Sequence, residues 1–148
     1  MQPYQTNAGK RLVKSPKVYV RDSGIVHALL NIADRESLLG HPVVGGSWEG
    51  FVIENLIAAA PARTSPMFYR TGAGAEIDLL LEMPRHGLWA IEIKLGFTPR
   101  PGKGFFIACE DLKPARRLVV NGGDENYPLR DGVEVIGLLQ LVQELAAL

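Results

Sequence analysis

Two short apolar runs lie almost end to end in this chain: residues 75–81, Ala-Glu-Ile-Asp-Leu-Leu-Leu, and residues 88–94, Leu-Trp-Ala-Ile-Glu-Ile-Lys. Between them stands Met83-Pro84-Arg85-His86-Gly87, a stretch too short and too rich in turn formers to be anything but a tight connection. The two runs are therefore neighbouring antiparallel strands, and the fold must be built around them. In a strand, side chains alternate between faces, so Glu92 and Lys94 share one face while Ile91, Ile93 and Leu95 take the other. Ile77, Leu79, Leu80 and Leu81 read as a mostly buried strand, which Asp78 interrupts. Burying an unpaired carboxylate is costly, so Asp78 demands a compensating partner.

The flanking segments extend this pair into an α/β pattern. Residues 17–21, Lys-Val-Tyr-Val-Arg, alternate like a strand, and Asp22-Ser23 caps a helix over 24–31. A short helix follows over 35–39, ended by Gly40-His41-Pro42. Gly45-Gly46 leads into a second capped helix over 47–60, beginning at Ser47 and closed by Pro61. In it Trp48, Phe51, Val52, Leu56 and Ala59 form an apolar stripe that packs on a sheet. At about 100° per residue, Glu49 falls roughly 20° beyond one edge of the stripe and Glu54 roughly 60° beyond the other. Glu49 reaches the buried edge more readily, and the choice of helix acid stays open between the two.

A strand over 67–71 and the turn Gly72-Ala73-Gly74 complete a three-stranded β-meander with the opening pair. A glycine- and proline-rich loop over 96–104 precedes a helix over 105–112. Strands over 117–121 and 133–137 and a terminal helix over 138–148 follow. The expectation is one α/β domain over 17–148, a mixed central sheet with the meander flanked by helices and an extra strand at each end, behind a flexible, polar lead-in over 1–16.

A chain of 148 residues with 47% hydrophobic content can bury a substantial core. It has no apolar run of about eighteen residues and no basic region followed by an apolar one, so it reads as cytoplasmic with no membrane partner. Cys109 is the only cysteine, which excludes an internal disulfide and fits a buried apolar role. The formal net charge is zero, which argues against strong nonspecific nucleic-acid binding. Two basic clusters stand out nevertheless: Lys10, Arg11, Lys14, Lys17 and Arg21, then Lys94, Arg100, Lys103, Lys113, Arg116 and Arg117. Arg70 and Glu76 are placed to pair across the meander, and His27, His41 and His86 lack ligand spacing.

Magnesium takes oxygen ligands, usually one or two carboxylates with water and substrate phosphate completing its shell, and Asp78 and Glu92 suit that need. The backbone carbonyl of Ile93 is placed to add an oxygen. Lys94 lies about 6.6 Å beyond Glu92 on the same face, within reach of a scissile phosphate or its attacking water. The spacing alone is cheap, because Asp111-Leu112-Lys113 repeats it at the end of a helix, before Pro114. There the two side chains diverge, so strand context separates the pair that matters from its decoy.

A helix with an acid, a strand with Asp78, a strand with Glu92-x-Lys94, a helix and a strand, in that order, resemble the PD-(D/E)xK nuclease-like superfamily. That resemblance implies a restriction-endonuclease-like core, with Asp78 and Glu92 as metal ligands, Lys94 polarising water or stabilising the transition state, and Glu49 as the helix acid. It implies Mg²⁺, or Mn²⁺, as cofactor and DNA as substrate. Ile77 stands where the superfamily name has proline. More closely, Lys14-Ser-Pro-Lys-Val-Tyr-Val-Arg-Asp-Ser-Gly24, Trp48-Glu-Gly-Phe-Val-Ile-Glu-Asn-Leu56, Phe68-Tyr-Arg-Thr71, Ala75-Glu-Ile-Asp78 and Ile91-Glu-Ile-Lys94 look like the carboxy-terminal domain of many bacterial and archaeal AAA-type ATPases. This second resemblance implies an ATPase module absent from the chain, which has no Gly-x-x-x-x-Gly-Lys-Ser/Thr and so no ATP site of that kind. It also implies a different role: a non-catalytic module that binds nucleic acid, the ATPase module or another copy of itself.

Overall fold

The computed structural model describes residues 1–5, 12 and 15–148. Its centre is a seven-stranded mixed sheet, with strands β1 (Gln2–Pro3), β2 (Ser65–Arg70), β3 (Glu76–Met83), β4 (Gly87–Ile93), β5 (Arg116–Asn121), β6 (Tyr127–Pro128) and β7 (Val133–Gly137) in the order β1-β2-β3-β4-β5-β7-β6. The helices are α1 (Ser23–Leu29), α2 (Arg35–Leu39), α3 (Val44–Ala59), α4 (Lys103–Leu112) and α5 (Leu138–Ala146).

The meander is as expected: β2, β3 and β4 pair antiparallel, with Leu80 opposite both Met67 and Ala90. Gly87 closes the β3–β4 turn at φ +73°, a conformation that a side chain would resist. After β4 the chain crosses through α4 and returns as β5, parallel to β4 with Glu92 beside Val119. β7 then lies parallel to β5. Parallel neighbours need a crossover, which is why helices cover this half of the sheet.

The sheet buries both faces. On one, Leu79, Leu81, Ile91 and Ile93 pack with Val52, Ile53 and Leu56 of α3 and with Leu141 and Leu145 of α5. On the other, Leu80, Ala90 and Val119 pack with Phe105, Ala108 and Cys109 of α4. The alternation read along β4 therefore holds: its isoleucines face α3 and α5, whereas Glu92 lies on the α4 side. Cys109 is buried and unpaired.

Four expectations need correction. Residues 17–21 are extended but join no sheet; Lys17 instead exchanges two backbone hydrogen bonds with Met1, at 2.8 and 3.2 Å. The start of the supposed lead-in supplies an edge strand, because Gln2 and Pro3 pair parallel with Met67 and Phe68; Lys10, Arg11 and Lys14 lie outside the described residues. Helix α3 begins at Val44, through both glycines, and Ser47 is not its cap but bonds His27 Nε2 at 2.7 Å. Its buried positions are Gly50, Val52, Ile53 and Leu56, while Phe51 is 44% exposed, so the stripe is rotated toward Ile53. The short antiparallel edge strand β6 had no signal in its two residues, Tyr-Pro. Among the described residues no helix is long and apolar enough to cross a membrane.

Candidate functional site

The site grows from a break in the β3–β4 ladder. Paired residues run from Met83 opposite Gly87 to Leu79 opposite Ile91, which would next set Asp78 directly against Glu92. Two carboxylates in that position repel. The ladder stops one residue short of them, and the Asp78 side chain takes over a backbone role: its Oδ2 accepts the Ile93 N–H at 2.9 Å. Asp78 thereby gains a hydrogen-bond partner for one oxygen, and the strands open into a cleft of about 280 Å³.

Lys17, Glu49, Glu76, Asp78, Glu92 and Lys94 line that cleft, with Gly74, Gly102, Gly104 and Phe105 at its border. Lys94 Nζ bonds Glu92 Oε1 at 2.7 Å, and Glu92 is nearly buried. The glutamate of α3 that lines the cleft is Glu49, whereas Glu54 pairs with the exposed Arg21. Glu49 Oε1 accepts from Tyr19 Oη at 2.5 Å and from Lys17 Nζ at 3.2 Å. Trp48, half-buried, donates its indole N–H to the Lys94 carbonyl at 3.2 Å and so ties α3 to the end of β4.

Burial pushes the Asp78 carboxyl up to about 7; repulsion from Glu92 adds to this, the Ile93 N–H opposes it, Glu49 adds a little more, and Lys17 pulls back. Burial works against the Lys94 ammonium, yet the hydrogen bond and charge of Glu92, with Asp78 and Glu49, outweigh it and hold the group above the usual lysine value. Lys17 follows the same logic through Glu49, Asp78 and Glu76. Both lysines are thus charged at neutral pH. Tyr19 is raised by burial and then by its bond to Glu49, so the phenol stays a donor.

Four of the side chains expected at the site, Asp78, Glu92, Lys94 and Glu49, line one cleft; Ile93, expected to offer its carbonyl, instead donates its N–H to Asp78, while its side chain lies in the core. Asp111, the decoy, lies elsewhere, at the end of α4 with Tyr69 Oη at 3.3 Å. Arg70 and Glu76 do pair across the meander, at 3.6 Å. Arg116 of the second basic cluster is occupied by Glu134 and Glu144. The sequence reading overlooked Lys17 and Tyr19. Their signal was the alternation of residues 17–21, which puts both on one side of an extended segment even though no sheet forms there.

The donor set suits a hard cation held by two carboxylates, Asp78 and Glu92, with water and phosphate filling the remaining positions. Among the described residues no three His, Cys, Asp or Glu side chains are grouped to hold a metal ion by themselves. Both carboxylates already face an ammonium, Lys17 for Asp78 at 3.7 Å and Lys94 for Glu92.

No solved structure matches the chain. An uncharacterised protein of Mycobacterium tuberculosis, Rv2008c, and one of Mycobacterium bovis, Mb2031c, are each 40% identical to it over 154 aligned residues. The alignment takes in 100% of this chain but 34% of each relative, so the chain spans about a third of their length. A family described only as a domain of unknown function, DUF8612, matches residues 1–36. The family described as Domain of unknown function (DUF4143) matches residues 44–141, which hold α3, the whole meander, α4, β5 and β7, and to that family the chain belongs.

Proposed function

We propose that the domain is a nuclease-like module that hydrolyses phosphodiester bonds of DNA with Mg²⁺ or Mn²⁺ held by Asp78 and Glu92. One observation carries the reading: Glu49 of α3, Asp78 of β3 and Glu92 and Lys94 at the end of β4 converge on one cleft. The order α3, β2, β3, β4, α4, β5, with an antiparallel meander followed by a parallel crossover, supports a restriction-endonuclease-like core. A divalent cation bound there supplies Lewis-acid charge for the phosphate oxygens. The Ile93 N–H orients Asp78, and the Ile93 carbonyl would offer the cation a further oxygen. Lys94, held protonated by Glu92, acts as a fixed positive charge toward a pentacovalent phosphate and not as a general base. Glu49, bonded by Tyr19 and Lys17, sets the far wall. Incubating the purified protein with supercoiled, linear, branched and single-stranded DNA and Mg²⁺ or Mn²⁺ tests this; cleavage that does not exceed an Asp78→Ala control overturns it.

A second reading is favoured by a different surface. Helices α1 and α2 bury no residue, and with Trp48, Phe51, Leu95 and Phe97 they border an apolar hollow of about 570 Å³. In this reading the fold is kept as a non-catalytic module for docking an ATPase module, a nucleic acid or a second copy. Glu92→Ala then leaves binding and assembly intact, and their collapse would count against it.

A further inference from the structure

Lys17 belongs to an extended segment that joins no sheet, yet its ammonium is the most heavily contacted cation of the cleft. Nζ lies 3.2 Å from Glu49, 3.3 Å from Glu76 and 3.7 Å from Asp78. Its backbone is clamped to that of Met1, and Nζ stands 5.5 Å from the centre of the Phe68 ring. The side chain is 21% exposed, so the charge has left most of its water for carboxylates. Four carboxylates, Glu49, Glu76, Asp78 and Glu92, converge here on two lysines, Lys17 and Lys94. Such a cluster cannot persist without positive charge. Lys94 neutralises Glu92 from the same strand. Lys17 supplies the charge on the Asp78 side, where a divalent cation would otherwise do so.

We propose that Lys17 is a built-in counter-ion that competes with a divalent cation for Asp78: its ammonium steadies the acidic cleft when the metal is absent and gives way when the metal binds. The inference rests on the metal-site reading above. An ammonium and a divalent cation repel, and Asp78 Oδ2 is already committed to Ile93. Oδ1 is therefore what the two compete for.

Calorimetric titration with Mn²⁺ decides the matter for wild type, Lys17→Met and Lys17→Arg. Lys17→Met keeps much of the stem but loses the charge, and it is expected to bind Mn²⁺ about tenfold or more tightly, a gain of roughly 1.4 kcal/mol. Lys17→Arg restores the charge and stays near wild type, and adding Asp78→Ala to Lys17→Met removes the signal. Equal or weaker binding by Lys17→Met overturns the competition while leaving the metal site standing. No binding by either protein overturns both. If Lys17→Met does not fold without metal, its thermal transition is followed against Mn²⁺ concentration. A rise that exceeds the wild-type rise supports the proposal, and no rise overturns it.

Discussion

Replacing Asp78 with asparagine keeps the shape of the side chain and removes its charge, so the electrostatics of the cleft can be read from its stability against pH. Burial and Glu92 hold the wild-type carboxyl at about 7, against about 3.9 in an unfolded chain. Between those values the folded protein binds a proton that the unfolded chain has released, so stability falls as pH rises through that window. Three pKa units at about 1.4 kcal/mol each put the full loss near 4 kcal/mol. Asp78 is only 14% exposed, so solvent discounts this little, and the expected figure is about 2–4 kcal/mol. The Asp78→Asn side chain still accepts from Ile93 and has no proton to lose. Urea unfolding of both proteins, with chelator present, at several values between about pH 4.5 and 8 gives the difference directly. The variant is expected to gain on wild type as pH rises, with most of the gain complete by about pH 8. Parallel curves would refute the burial argument. A gain by wild type instead would mean that Ile93 and Lys17 overcompensate the carboxylate.

Five substitutions test the contacts that form the cleft. Ile53→Ala should cost about 2–5 kcal/mol and Phe51→Ala clearly less, because Ile53 is 2% exposed and Phe51 44%; the reverse order in urea melts would mean that α3 is turned the other way. A Cβ on Gly104 would stand 2.4 Å from the Gly74 carbonyl oxygen, at the contact between α4 and the turn before β3. Gly104→Ala should therefore cost about 1–3 kcal/mol, visible as a lower melting temperature, and an unchanged value would show that contact to be loose. Glu49→Gln weakens the bonds from Lys17 and Tyr19 and should cost about 1–3 kcal/mol, whereas Glu54→Gln, paired with the exposed Arg21, should cost about 0–1 kcal/mol; equal costs would deny Glu49 its place in the cleft.

The elements that were legible in the sequence are those whose local pattern and tertiary role agree. The β3–β4 hairpin announces itself through two apolar runs and a turn with Pro84 and Gly87, and α1 through Asp22, which does cap; the cap of α2, Asp34, emerged only in the structure. The start of α3 was misplaced because its first turn has no side-chain cap at all, leaving Ser47 as the nearest plausible one. The strand expected over residues 17–21 had the right alternation, but β2 already has Gln2–Pro3 on that edge, so the segment has no ladder to join. That same displacement hid Lys17. As a strand residue it would have been one more exposed cation; held instead against Met1, it enters the cleft.

The cleft and the fold share one cause. A continuous β3–β4 ladder would set Asp78 and Glu92 face to face in a pair of strands otherwise buried on both sides. Repulsion makes that pairing unfavourable. The strands part at this point and nowhere earlier, because from Leu79 inward every paired position up to Leu81 is apolar on both strands. Parting would leave the Ile93 N–H without a β3 backbone partner, and it donates instead to the Asp78 carboxylate. Asp78 accepts it and is thereby oriented, Glu92 turns to Lys94, and the gap fills with Glu49 from α3 and Lys17 from the extended segment. An apolar residue at position 78 would let the ladder run on and close the cleft. The acid that looks like a fault in a buried strand is therefore what makes a site out of a hairpin.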